Sequence, residues 1–277
     1  MLRTRSLAVL ALFLLTVPAF AQESHEDKMA REHAGDEPVA SPAVGAEPAA
    51  PVTTEDVSYA DSGTGYLAWP KGHDGPLPGL IVIHEWWGLN DNIRAMTRQL
   101  AGEGYMALAV DMYGGEVAST PEKARELATA VRQNADAGEA NLRRAHAFLK
   151  EKGATKIGTI GWCFGGGWSL QTGMTLAGQV DATIIYYGRL VTDPDALKAI
   201  QAPVLGIFGD LDRGIPLDSV RAFEKAMQDL SKDVDVHVYE GADHAFANPS
   251  GTRYQEEAAR DAWSKTLAFL AEHLQGS

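Results

Sequence analysis

A mostly parallel β-sheet covered by helices on both faces is what this sequence predicts, and three observations support it. From Gly79 onward, short apolar runs recur without the alternation of a half-exposed strand, which marks strands buried on both faces. Stretches with helical periodicity separate these runs, so the elements alternate strand and helix. No internal repeat competes with that pattern.

Val57 to Trp69 carries Asp61, Gly63 and Gly65 between strand-like pieces, consistent with a leading hairpin. Gly79 to His84 is an apolar strand bounded by Pro78. Asn90 or Asp91 can cap a helix whose Ile93, Met96 and Leu100 share one face. Tyr105 to Val110 is the next strand. Thr120-Pro121-Glu122 starts a helix with proline at its first position, and Leu142, Ala145 and Leu149 mark another. Strands follow at Lys156, at Ala182 to Tyr187 and at Val204 to Phe208. Val220, Phe223, Met227 and Leu230 form a helical stripe. Val234, Val236 and Val238 alternate with polar residues, and Trp263, Leu267, Leu270 and Leu274 face one side of a closing helix.

Ahead of this domain, Arg3 and Arg5 precede the apolar run Leu7 to Leu15 and then Pro18-Ala19-Phe20-Ala21. That is the layout of a signal peptide over residues 1–21, and it predicts export to the periplasm or beyond the cell. The run is too short for a comfortable membrane span. Residues 22–54 are rich in Ala, Glu and Pro and lack aromatics, so a flexible tether is expected there. His25 and His33 lie in that stretch among acids and read as solvated. Residues 55–277 then form one α/β domain.

The formal charge is −13, and loss of Arg3 and Arg5 with the signal would make it −15. A polyanion is repelled on average, so nucleic acid is a poor partner. The single cysteine forbids an internal disulfide, and in an oxidising compartment a lone thiol is a liability. No metal-ligand spacing, phosphate loop or nicotinamide fingerprint is present, so no cofactor is implied. Oligomeric state is not legible.

That one cysteine sits in Gly161-Trp162-Cys163-Phe164-Gly165-Gly166-Gly167, a strand running into a glycine-flanked turn and an apolar helix. A nucleophile elbow has this form, and bulky residues two before or two after the nucleophile would collide with strand and helix. The Val204 strand ends in Gly209-Asp210-Leu211-Asp212, and the Val234 strand is followed by Asp243-His244. Nucleophile, acid and histidine thus occur in the chain order of an α/β-hydrolase, each beyond the carboxyl end of a strand. His244 would exchange a proton with the Cys163 thiol, and Asp212 would fix its tautomer. Asp210 is the alternative acid, while Asp243 is expected to tie the histidine loop locally.

With these motifs the domain resembles the dienelactone hydrolase family over about residues 55 to 275. His84-Glu85-Trp86-Trp87-Gly88-Leu89-Asn90 resembles a second signature of that family. The resemblance implies an α/β-hydrolase fold and a small ester or lactone as substrate. It implies that Glu85 helps activate Cys163, that the backbone N–H groups of Phe164 and Trp86 form the oxyanion hole, and that Tyr187 lines the pocket. Read from the residues alone, Glu85 ends an aliphatic run before two tryptophans, so desolvation should raise its pKa. The side chains of Trp86 and Trp87 are expected as core and pocket wall, with Trp87 on the substrate's side. One departure bears on substrate. Asn248, expected among the substrate-binding residues, lies four residues after His244, where the family's dienelactone-cleaving members carry a carboxylate-binding arginine, and a neutral amide cannot form that bidentate pair. Arg125 and Arg132 are the candidates for the family's second arginine. A non-catalytic ligand-binding protein and a thiol redox sensor are the competing readings.

Overall fold

The structure is a computed structural model that describes residues 24–34, 39–59 and 64–276. The expected signal peptide, residues 1–21, lies outside the described residues. Among the described residues, eight strands form one sheet: β1 (Val52–Ser58), β2 (Thr64–Pro70), β3 (Gly79–Ile83), β4 (Met106–Val110), β5 (Ile157–Trp162), β6 (Ala182–Tyr186), β7 (Val204–Gly209) and β8 (Val234–Tyr239). Their order across the sheet is β1-β2-β4-β3-β5-β6-β7-β8. The β1–β2 hairpin and the β2–β4 pairing are antiparallel, and every pairing from β4 to β8 is parallel.

Helices cover the sheet: α2 (Asp91–Gly102), α3 (Pro121–Gln133), α4 (Ala135–Glu151), α5 (Phe164–Thr175), α6 (Pro194–Leu197), α7 (Leu217–Asp229) and α8 (Glu256–Leu270). Asn90 caps α2 by accepting from the Ile93 N–H, and Thr120 caps α3 by accepting from Lys123 N–H. The alternation along β6 and β7 shows that both faces are covered. Ile185, Val204 and Phe208 join Val220, Phe223 and Met227 of α7 in one apolar cluster. Ile184, Leu205 and Ile207 point the other way, into a cluster holding Ala262 and Leu270 of α8.

The expected flexible tether is corrected by the structure. Within it, residues 25–32 form a helix, α1 (His25–Glu32), and β1 begins at Val52. Ser24 caps α1, accepting from the Asp27 N–H at 3.1 Å while its hydroxyl donates to the Asp27 carboxylate at 2.7 Å. The helix packs on α3. Asp27 meets Arg125 of α3 at 2.9 Å, an exposed pair of small energetic weight. Burial of Met29, which contributes about 1.5–3 kcal/mol, is the stronger anchor. His33, expected in solvent, is buried.

Because β3 and β5 to β8 run parallel, their carboxyl ends share one edge of the sheet. Glu85 follows β3, Cys163 follows β5, Tyr187 follows β6, Asp212 follows β7 and His244 follows β8. Topology alone gathers five separate segments at one place.

Candidate active site

Cys163 joins β5 to α5 at φ 55° and ψ −116°, a conformation that costs a non-glycine residue about 1–3 kcal/mol. Its surroundings over-determine the bend. The Cys163 N–H donates to the Tyr186 carbonyl at 3.0 Å, and its carbonyl accepts from the Gly166 and Gly167 N–H groups at 3.0 and 3.3 Å. The two flanking glycines are obligatory. A Cβ on Gly161 would lie 2.1 Å from the Gly165 carbonyl oxygen, and one on Gly165 would lie 2.2 Å from that of Ile83. The thiol is thereby held at the strand tip, 7 % exposed. Phe164 is the first residue of α5, where helix geometry provides no acceptor for its N–H.

His244 is almost fully buried, and its Nδ1 lies 2.7 Å from Asp212 Oδ2. Asp212 Oδ1 accepts from the Ile215 N–H at 2.8 Å, so both carboxylate oxygens are engaged. Burial opposes the Asp212 charge, but His244 and the Ile215 and Gly214 N–H groups outweigh it and hold the carboxyl below its usual range. An ionised Asp212 needs a proton on Nδ1, which leaves Nε2 as the working nitrogen. Nε2 has no partner of hydrogen-bond geometry, and Cys163 is among the groups that shift the imidazole's pKa. Burial pushes the imidazole down, yet Asp212 and Cys163 together raise it well above its ordinary value.

The other two aspartates take structural parts. Asp210 Oδ1 accepts from the Gly241 N–H at 2.7 Å, tying the β7 loop to the β8 loop. Asp243 accepts from the His244 N–H at 2.6 Å.

Glu85 is buried beside this pair, and it shares a cavity wall with Cys163. Desolvation raises its pKa from 4.5 to about 7, against the pull of His244 and Asn92. Asn248 donates to Glu85 Oε2 at 2.7 Å, while its own oxygen accepts from the Ser250 N–H and hydroxyl at 2.8 and 2.6 Å. The residue read as a substrate contact therefore spends its amide on Glu85, though it also borders the cavity. His84 fixes the same segment from behind. Its Nε2 accepts from the Met112 N–H at 3.2 Å, so Nδ1 carries the proton and donates to the Glu85 carbonyl. Burial keeps this imidazole neutral, with a pKa lowered to about 4.

Tyr187 is fully buried at φ 35°, its ring 5.2 Å from that of His244. Burial, Glu85 and Cys163 push its phenol well above the usual range, so it stays protonated. Trp86 and Trp87 pack ring to ring at 5.1 Å, and both border the cavity at Cys163. Tyr113 donates to the Trp86 carbonyl at 3.1 Å, which steadies that backbone.

Two cavities border Cys163. One of about 30 Å³ is lined by His33, Glu85, Trp86, Trp87, Cys163 and Asn248 among others. The other, about 310 Å³, is lined by Phe164, Trp168, Val191, Arg132 and Arg189 as well as Cys163. Of the two arginines considered from sequence, Arg125 meets Asp27 on α1 and Arg132 borders the larger cavity. Sequence reading missed His33, Trp168, Arg189 and Asn92. The Ser24 to Asp27 cap was the one signal that could have pointed to an ordered segment before His33.

A family model for the dienelactone hydrolase family matches residues 64–274, most of the chain. The chain belongs to the dienelactone hydrolase family. A "Putative carboxymethylenebutenolidase" of Saccharolobus solfataricus is 32% identical over 257 residues, covering 78% of this chain and 97% of that protein. "Protein usf" of Aquifex pyrophilus is 36% identical over 219 residues, covering 76% and 93%. Among solved structures, the "Putative Dienelactone Hydrolase" of Klebsiella pneumoniae superposes with a TM-score of 0.72 at 30% identity, over 80% of this chain and 99% of that one. As a dienelactone hydrolase family member the protein has the α/β-hydrolase fold and is a carboxylic ester hydrolase with a small-molecule ester as substrate. The match begins at residue 64, so α1 and His33 lie outside it.

Proposed function

We propose that this hydrolase cleaves a small ester or lactone through Cys163, His244 and Asp212, with a thioester intermediate. The observation that carries the reading is the Asp212–His244 pair, buried and 2.7 Å apart, directed at a cysteine on a glycine-locked elbow.

The steps follow from the groups in place. The Cys163 thiol gives its proton to His244 Nε2, directly or by way of Glu85, and the sulfur attacks the ester carbonyl carbon. The carbonyl oxygen becomes an oxyanion, which the backbone N–H groups of Phe164 and Trp86 are suited to receive. As the tetrahedral intermediate collapses, the carbon–alkoxide bond breaks and His244 protonates the leaving oxygen. The acyl group is then a thioester on Cys163. Water, deprotonated by His244, attacks that thioester and releases the acid and the thiol. Asp212 keeps the imidazole oriented and stabilises its charged form throughout. Glu85, with a pKa raised to about 7, can accept a proton near neutral pH and return it.

The test is hydrolysis of 4-nitrophenyl esters and enol lactones by the purified protein beside Cys163→Ala, with mass spectrometry of the quenched enzyme. An acyl adduct on Cys163 and loss of turnover in the variant are expected. Equal rates in both proteins would overturn the assignment. The layout of residues 1–21 supports export with cleavage after Ala21. Amino-terminal sequencing of protein recovered from the periplasm and medium tests that, and an intact Met1 terminus there would refute it.

A further inference from the structure

Cys163 alone among the described residues borders both cavities. A substrate ester has two arms, acyl and alkoxy, that diverge from the carbonyl carbon the thiol must reach. The two arms therefore face two very unequal spaces. The larger is about 310 Å³ and has apolar walls from Phe164, Trp168 and Val191. The smaller is about 30 Å³, room for one or two waters. One wall of the second space is a residue from outside the family domain. His33, 4 % exposed, sets its ring 4.8 Å from Trp86 and 5.5 Å from His244. Its Nδ1 accepts from Arg253 Nη1 at 3.2 Å, so the ring is held from the histidine-loop side as well. Four residues earlier and on the same helical face, buried Met29 fastens the segment to the domain.

Building on the hydrolase reading above, we infer that residues 24–34 form a wall of the catalytic pocket, and that His33 on that wall restricts the substrate to an ester with one very small arm. The other arm extends into the larger cavity. The enzyme is then selective for esters that are asymmetric about the carbonyl, such as methyl esters of bulky acids or acetates of bulky alcohols. His33 acts here as a specificity residue and takes no part in proton transfer.

Two ester series test this on the full chain. One lengthens the acyl arm (4-nitrophenyl acetate, butanoate, octanoate), and the other lengthens the alkoxy arm (methyl, butyl, octyl phenylacetate). Wild type is expected to tolerate lengthening in one series and to lose at least about tenfold in kcat/KM in the other, the scale of discrimination a few methylenes can give. His33→Ala should recover most of that loss for the disfavoured series alone. Met29→Asp, which loosens the wall without altering the pocket lining, should do the same, and its melting curve reports that the domain still folds. Equal tolerance for both arms in wild type overturns the inference while leaving the hydrolase reading intact. So do unchanged length profiles in both variants. Absence of hydrolysis across both series overturns the hydrolase reading and this inference with it.

Discussion

Replacing Glu85 by glutamine should remove a pH dependence of stability that the buried carboxyl creates. Its pKa rises from 4.5 to about 7 on folding because burial penalises the charge. The native state thus binds this proton more tightly than the unfolded chain does. The stabilisation is fully present below pH 4.5 and is lost as pH rises through about 7. Between pH 5 and pH 8 the loss is about 2–3 kcal/mol, a large share of a domain's net stability. Glutamine keeps an oxygen for the Asn248 amide, 2.7 Å away in the wild type, and carries no charge to desolvate. Urea unfolding of wild type and Glu85→Gln at several pH values reads out Glu85 together with its coupling to His244, since the titrations of groups away from this pair cancel in the difference. Wild type should fall relative to the variant by about 2–3 kcal/mol across that range. Two parallel stability profiles would show that Glu85 is not the desolvated acid described above.

Three further substitutions probe the rest of the site. Asn248→Ala removes a donor from the Glu85 carboxylate, so the acid limb of kcat/KM should move upward by about one pH unit; an unmoved limb would separate Glu85 from catalysis. Asp212→Asn keeps an oxygen for the Ile215 N–H but presents the wrong partner to His244 Nδ1. Steady-state kinetics should show kcat lower by about 10⁴ with KM little changed, and a loss under tenfold would refute the assigned role. Gly165→Ala would bring a methyl to 2.2 Å from the Ile83 carbonyl oxygen. Thermal unfolding should report a destabilisation of about 3 kcal/mol or more, and a melting point like that of the wild type would mean the elbow can relax.

The parallel strands were readable because burial on both faces leaves an unmistakable signature: Gly79 to Ile83 and Val204 to Gly209 are apolar runs with turn residues at each end. Once those strands are parallel, whatever follows them in sequence meets in space. Hence Cys163, Asp212 and His244 could be grouped before any coordinates. Two things were hidden. Asn248 was assigned by its position after the histidine, yet its amide is committed to Glu85, a long-range pairing that no local pattern encodes. Residues 24–34 were set aside on composition, because an Ala-, Glu- and Pro-rich stretch without aromatics has little to bury. The few side chains that do dock there, Met29 and His33, gain their partners from the domain and not from their neighbours in sequence.

That His33, ahead of the family domain, touches the rings of Trp86 and, edge-on, His244 has a practical side for anyone handling the protein. A purification tag or reporter fused just ahead of residue 24 would hang from the very piece that carries His33, whereas the Gly276 carbonyl is held by Lys156 at the amino end of β5, the opposite end of that strand from Cys163. Attachments belong at the carboxyl end, and substrate profiles measured with the two arrangements should not be pooled.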